Sequence, residues 1–344
     1  MMLKFSKLQA GLVTLACVGL AAAGCSSSSS SSGNSSGGHA KPSGTANVAY
    51  AASLAFLNEQ VFGPAFAKAT GFKYQGTAGP SDGLSAEIAA KTIFPNVFIS
   101  VGGKSIEALQ PAFTKWYVAY ATTSIVVAYN PNSKYAPQFK AIASGKKPLS
   151  DLFTLMEKPG FQLGRTDPNT DPQGRAFIFM LQLAQMKYHL PADTVTKILG
   201  GPLASAKSTQ IFEEAALDSR LQAGQVDAAS AYLSQAKQLH LHYITLPPDI
   251  NLGDAAFKDN YAKASITITD SKGKETKMGS PLTIDITTIS GAKDSAAANA
   301  FVAYVLSPAG RALYENQGGY TLLPPKLKGP ASAVPASIRK ELGS

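Results

Sequence analysis

Two Asp-Pro pairs bracket an Asn-Thr step in the stretch Thr166 to Arg175, TDPNTDPQGR, and a Gly-Arg pair closes it. Proline fixes its own φ and disfavours helix for the residue before it, so Asp167 and Asp171 are held extended. After Gly174 the chain runs RAFIFMLQLAQMKYHL, an apolar stretch that suits a buried helix from Arg175 to about His189. Pro172 then lies near the first turn, where its missing N–H costs nothing. The N–H groups of Gln173 and Gly174 would be free at that helix start, and such groups attract anions. The plainer alternative is a loop whose Asp171 caps the helix, since Asp-Pro turns are common.

Two serines recur in a matching setting. Ser53 follows the apolar strand Ala46 to Ala51 and precedes LAFLNEQVFGPAFAKATGF, a helix expected to kink or break at Gly63-Pro64. It stands where an N-cap belongs. Ser81 follows a second strand, Phe72 to Gly76, at the start of the next helix, and Asn96 to Val101 forms a third strand. Alternating strands and helices argue for a parallel α/β sheet. Ligands of such sheets sit at the carboxyl ends of the strands, where both serines fall.

The elements that must hold these residues continue along the chain. Trp116 to Tyr129 reads as one or two strands, with a crossing point at Ala121-Thr122-Thr123. Helix is expected over Lys134 to Leu155, a strand over Phe161 to Leu163, and helices near Ala192 to Leu199 and Glu213 to Gln222. Val226 to Tyr232 reads as a strand followed by a turn and a helix. His240 and His242 could share a strand face, but no carboxylate pattern accompanies them and no metal is assigned there. Ala264 to Thr269 and Leu282 to Ile289 are expected as strands around the turn at Asp270. Ser295 to Ser307 and the following PAGRALYENQGGY are helical, and the Pro-rich tail from Pro324 is expected to be irregular.

The chain opens with Lys4 and Lys7, then an apolar run from about Leu12 to Ala23, too short to span a membrane comfortably. It reads as a signal peptide over 1–25. Its ending, LAAAGC, resembles the lipobox of bacterial lipoproteins, in which the cysteine, here Cys25, is lipidated. Residues 26–44 form a Ser/Gly-rich flexible linker. With Cys17 and Cys25 the only cysteines, the folded body carries none, which excludes disulfides and cysteine metal sites there. The formal charge is +9, or +7 once Lys4 and Lys7 leave with the signal peptide. The basic residues are scattered without interleaved aromatics, so nucleic acid is not an expected partner.

The order of motifs resembles the substrate-binding proteins of ABC importers. Within them it is similar to the molybdate/tungstate-binding lipoproteins of the tungstate-binding branch. The likeness spans about Asn47 to Gly319 and rests on AYAASL (49–54), AGPSDGL (78–84), KWYVAYATTSIVVAYNPNSKY (115–135), GRTDPNTDPQGRA (164–176), LQAGQVDAASAYLSQA (221–236) and SPAGRALYENQGG (307–319). It implies a two-lobed α/β, periplasmic-binding-protein-like (type II) fold with a hinge of crossover strands. Residues 45–122 with 265–344 would form one lobe and 123–264 the other. It implies an oxyanion site at Ser53, Ser81, Asp171, Gln173 (through its backbone), Glu214 and Tyr232. Glu214 and Tyr232 keep the family's spacing of eighteen residues. Asp171 and Glu214 would each give one oxygen to the molybdenum or tungsten of the bound anion. The family's glycine before the second serine is Pro80 here, which removes one N–H donor. Its frequent Cys-Gly-Tyr is Gln173-Gly174-Arg175. The implied protein is a monomer with no cofactor, held outside the cytoplasmic membrane by its lipid anchor and partnered by a permease and an ATPase.

Hydroxyls of Ser53, Ser81 and Tyr232, with N–H groups at helix starts, would make a neutral donor nest for a tetrahedral dianion. Sulfate or phosphate on the same scaffold is the first alternative, opposed by the two carboxylates. An exported acid–base hydrolase using Asp171, Glu213 and Glu214 is the second. No Gly-x-Ser-x-Gly elbow and no Ser/His/Asp spacing supports it. A surface lipoprotein that binds nothing small is the third.

Overall fold

The computed structural model describes residues 42–343, apart from 206, 271 and 272. The expected signal peptide, Cys25 and all of the linker before residue 42 lie outside the described residues. Three consecutive strands are short: β1 (Thr45–Ala51), β2 (Lys73–Gly79) and β3 (Val97–Val101). They pair in parallel, with β1 between the other two. β1 and β3 are buried almost throughout, which explains why they are mostly apolar, whereas edge strand β2 alternates in exposure. The sheet is completed by β11 (Thr283–Thr288), β4 (Tyr117–Thr122) and β12 (Thr321–Lys328), all in antiparallel pairs, in the order β12-β4-β11-β3-β1-β2.

A second, four-stranded sheet runs β6-β7-β5-β8, from β5 (Ile125–Tyr129), β6 (Leu163–Gly164), β7 (Ala228–Tyr232) and β8 (His242–Ile244). The expected crossing point falls between β4 and β5. Thr122 ends the first sheet and Ile125 opens the second. Thr122 Oγ1 donates to the carbonyl of Leu282 at 2.7 Å, and Leu282 N–H donates to Leu252 O at 2.8 Å, so two connecting segments lie hydrogen-bonded side by side.

Helices cover the first sheet: α1 (Gly63–Thr70), α2 (Ser81–Ala89), α3 (Lys104–Glu107), α11 (Ser295–Leu306), α12 (Pro308–Asn316) and α13 (Ala336–Glu341). The second sheet carries α4 (Ala136–Ala143), α5 (Ser150–Met156), α6 (Pro172–Tyr188), α7 (Thr194–Leu199), α8 (Glu214–Gln222) and α9 (Leu233–Gln238), and α10 (Lys258–Tyr261) follows β8. Phe62, Phe66, Phe301 and Tyr304 meet edge-on or tilted with ring centres 5.0–6.0 Å apart, fastening α1 to α11. α6 is apolar over most of its surface because it is buried between β5, β7, α7 and α10.

Several local expectations change. No break occurs at Gly63-Pro64. The chain instead widens into a π-helical stretch, Leu57–Phe62, before α1, and Gly63 N–H reaches Asn58 O. A proline cannot supply the next helical N–H, and the wider turn absorbs that loss. The polar segment 134–155 holds two helices, α4 and α5, rather than one. β9 (Ser265–Asp270) pairs antiparallel with β10 (Gly273–Met278) as a separate two-stranded sheet, whereas β11 belongs to the large sheet. The tail from Pro324 is not irregular. It contains the edge strand β12, whose pairing shifts between Leu322 and Lys326, where Pro324 and Pro325 have no N–H to offer. His240 is not on a strand with His242; it turns in the left-handed region, φ 52°, before β8.

Candidate oxyanion site

The Asp-Pro loop is built as its residues demand. Asp171 is extended, φ −122° and ψ 122°, and Pro172 is the first residue of α6, three positions earlier than expected. Asp171 Oδ1 accepts the N–H of Gln173 at 2.8 Å. The expectation of a free Gln173 N–H is therefore corrected. The aspartate caps that donor, as a short acidic side chain at this position readily does. Gly174 has a steric cause: a Cβ there would stand 2.4 Å from Thr166 O and 2.9 Å from Pro168 N. Only glycine lets the loop lie on the first turn of α6.

Gln173 itself contributes a side chain. Its Nε2 donates to Glu214 Oε1 at 2.7 Å and to Gln235 Oε1 at 3.1 Å, while its Oε1 accepts from Ser230 Oγ at 3.1 Å. Gln235 Nε2 in turn donates to Asp218 Oδ2 at 2.8 Å. The amide of Gln173 thus ties α6, α8, β7 and α9 together and fixes one oxygen of Glu214. The sequence reading assigned Gln173 a backbone role and missed Ser230, Gln235 and Asp218. Signals existed: Gln235 stands three residues after Tyr232, as in a capping box, and Asp218 lies one helical turn after Glu214.

The hydroxyls differ in state. Ser53 lies in a single 3₁₀ turn, Ala52–Leu54, that packs against α8, and it caps nothing. Its Oγ is buried without a hydrogen-bond partner, as is the hydroxyl of Tyr232. Ser81 is the first residue of α2 rather than its cap, and its Oγ accepts the N–H of Val101 at 3.2 Å. Pro80 holds the cap position and has no N–H to give. An ion pair that sequence reasoning did not find, Asp82 Oδ2 to Arg175 Nη2 at 2.8 Å, connects the start of α2 to the start of α6.

Ser53, Ser81, Asp171, Gln173, Glu214 and Tyr232 are all buried. Hydrogen bonds join Gln173 to Asp171 and to Glu214; the turn that holds Ser53 packs against α8, and Ser81 precedes Asp82, which pairs with Arg175. Burial dominates the electrostatics. It pushes the Asp171 carboxyl up to about 6, against the Gln173 N–H and Arg175, which pull it down. The Glu214 carboxyl is raised by burial and then by the charges of Asp171 and Asp218. Burial also raises Asp218 to about 7. Tyr232 is held neutral by burial and by the same two carboxylates, Asp171 and Glu214. Neutral hydroxyls without partners beside carboxylates form a donor-and-carboxylate mixture. Ser53 and Tyr232 are two of several buried hydroxyls without a protein partner among the described residues, Tyr120, Tyr314 and Tyr320 being others.

A profile described as "Bacterial extracellular solute-binding protein" matches residues 46–319. The chain belongs to this family. The molybdate/tungstate-binding protein WtpA of Thermococcus kodakarensis is 29% identical over 64% of this chain and 64% of its own length. That of Pyrococcus abyssi is 30% identical over 64% and 66%. A putative ABC transporter molybdenum-binding protein of Haloferax volcanii is 35% identical over 46% and 48%. These alignments leave about a third or more of each relative's length unmatched. Among solved structures, the periplasmic molybdate-binding protein of Azotobacter vinelandii matches with TM-score 0.54 and 18% identity, over 80% of this chain and 99% of that one. The fold is the type II periplasmic-binding-protein fold. Family and relatives are binding proteins, so this is a solute-binding protein and not an enzyme; the hydrolase alternative falls.

Proposed function

We propose that the protein captures molybdate or tungstate outside the cytoplasmic membrane and passes it to the permease and ATPase of an ABC importer. The observation that carries this is the composition of the site. Two carboxylates, Asp171 and Glu214, stand with the unpartnered hydroxyls of Ser53 and Tyr232. Beside sulfate, which has no proton to share, these carboxylates once ionised would repel, at a cost that a partly dry site magnifies. Molybdenum(VI) and tungsten(VI) are hard centres that accept further oxygen donors, so Asp171 and Glu214 would each give one oxygen and raise the centre to six-coordination. The same groups then reject sulfate. The names of the relatives in Thermococcus and Pyrococcus support the same cargo. Calorimetric titration with tungstate, molybdate, sulfate and phosphate tests it. Binding is expected for the first two and not the last two. Heat from sulfate alone would favour the other-oxyanion alternative, and heat from none would remove the reading.

Two lobes, roughly 45–122 with 265–344 and 123–264, would close on the anion about the paired connections near Thr122 and Leu282. Ser53 and Ser81 come from one, Asp171, Glu214 and Tyr232 from the other. Tungstate should reduce the radius of gyration in small-angle scattering, and an unchanged profile at saturation argues against hinge closure.

The LAAAGC ending motivates an acylated Cys25 and a mature protein tethered by the serine linker. Labelled fatty acid should enter the wild type and not Cys25→Ala. Equal labelling of both would discard the anchor.

A further inference from the structure

We propose that Asp82 and Arg175 form a clasp between the two ligand-bearing helix starts, and that this ion pair sets how long a bound oxyanion is held. The inference rests on the oxyanion reading above and adds a pair of positioning residues that do not touch the anion. Asp82 directly follows Ser81 on α2, and Arg175 lies one helical turn after Asp171 on α6. Their side chains meet at 2.8 Å and are 23% and 9% exposed.

Each partner is anchored within its own half of the molecule. The other oxygen of Asp82 accepts the hydroxyl of Ser105, beside β3 on the large-sheet side. Arg175 Nη1 donates to Pro168 O at 2.9 Å, inside the Asp-Pro loop. The pair therefore joins two rigid pieces rather than two mobile side chains, and little side-chain entropy is lost when it forms. That is the condition under which an ion pair contributes more than the small increment of a surface pair. Separation of the two helix starts must break it.

The position of the pair explains its effect on release. Arg175 and Ser105 also line a cleft with Pro172, Phe179, Met278 and Leu282, and the Asp82 side chain is 23% exposed. Opening of the helix starts costs the ion pair before the anion can leave. Entry would differ, because an anion that meets the open form of the hinge closure proposed above has no pair to break. Loss of the clasp should consequently appear in the dissociation rate and leave the association rate almost unchanged.

The test uses the full chain and radiolabelled tungstate chased with unlabelled tungstate. Asp82→Asn and Arg175→Gln should each speed release by about 10-fold, a change of about 1.4 kcal/mol. The double variant should be no faster than the singles, as expected of two groups that act only through each other. The exchanged pair Asp82→Arg with Arg175→Asp should recover part of the slow release. Release from the wild type should quicken with added salt and release from the singles should not. A purely structural role would instead lower the melting temperature or the association rate. Release changed less than about twofold in the singles, or single effects that multiply in the double, overturns the clasp while tungstate binding stands. Absence of both tungstate and molybdate binding in the wild type overturns the oxyanion reading and the clasp together.

Discussion

Replacing Asp171 and Glu214 together by alanine is expected to weaken tungstate binding more than about 100-fold, roughly 2.7 kcal/mol, and to leave sulfate no weaker. The two substitutions act oppositely on the two anions for one reason. Toward tungstate they remove two oxygen donors to the metal. Toward sulfate they remove two negative charges that have no centre to bond. Asp171 also caps α6 through Gln173, so the single Asp171→Ala change carries a stability cost of about 1 kcal/mol that is separate from binding. Absorption at the tungsten edge separates the contributions: six oxygen neighbours in the wild type and four in the double variant. Four neighbours in the wild type with unaltered affinity in the variant would leave only the hydroxyl donors as the binding elements. Gln173 offers a finer test. Its amide holds Glu214 Oε1, so Gln173→Leu should free that carboxylate to rotate.

The ligand-free protein should lose stability as the pH rises from about 4 to about 7. Asp171 and Asp218 are pushed up to about 6 and about 7, and Glu214 is raised as well, all chiefly by burial. In the unfolded chain carboxyls titrate near 4. Between these values the folded protein holds protons that the unfolded chain has released. Stability from this source is full below about pH 4 and is lost as the pH passes the folded values. The melting temperature should fall by more than about 5 °C between pH 4.5 and 7.5. Asp171→Asn with Glu214→Gln should flatten that slope without abolishing it, because buried Asp285 is also raised to about 7. Tungstate should reverse the trend: its metal takes the charged carboxylates, so binding expels protons and stabilises more at pH 7.5 than at pH 5. Titration in buffers of different ionisation enthalpy reads that release directly. A melting temperature that climbs steadily across the window, or a slope that the double variant leaves alone, would show that these carboxyls are not the buried titrating groups.

The stretches that sequence alone determined are those whose local chemistry allows one outcome. Asp-Pro pairs hold the backbone extended, a glycine two residues after Pro172 lets the loop pack on α6, and the strand–helix alternation over 46–101 gives a parallel sheet with serines at its carboxyl ends. The run YVAYATTSIVVAY reads as one or two strands with a crossing point at Ala121-Thr122-Thr123, and only the tertiary structure divided it between two sheets. The tertiary structure decided whatever depended on a distant partner. A Pro-rich tail became strand β12 because an edge position asks for few N–H donors, a fact about the neighbouring β4 and not about Pro324. The expected kink or break at Gly63-Pro64 became a widened helical turn, with Phe62 packed against α11. Gln173 looked like a backbone contact until α8 and α9 brought Glu214 and Gln235 to its amide. Asp82 and Arg175, ninety-three positions apart, carry no spacing signal at all. Local dihedral preference is written in neighbouring residues, whereas hydrogen-bond partners and burial are set only when separate segments are packed together.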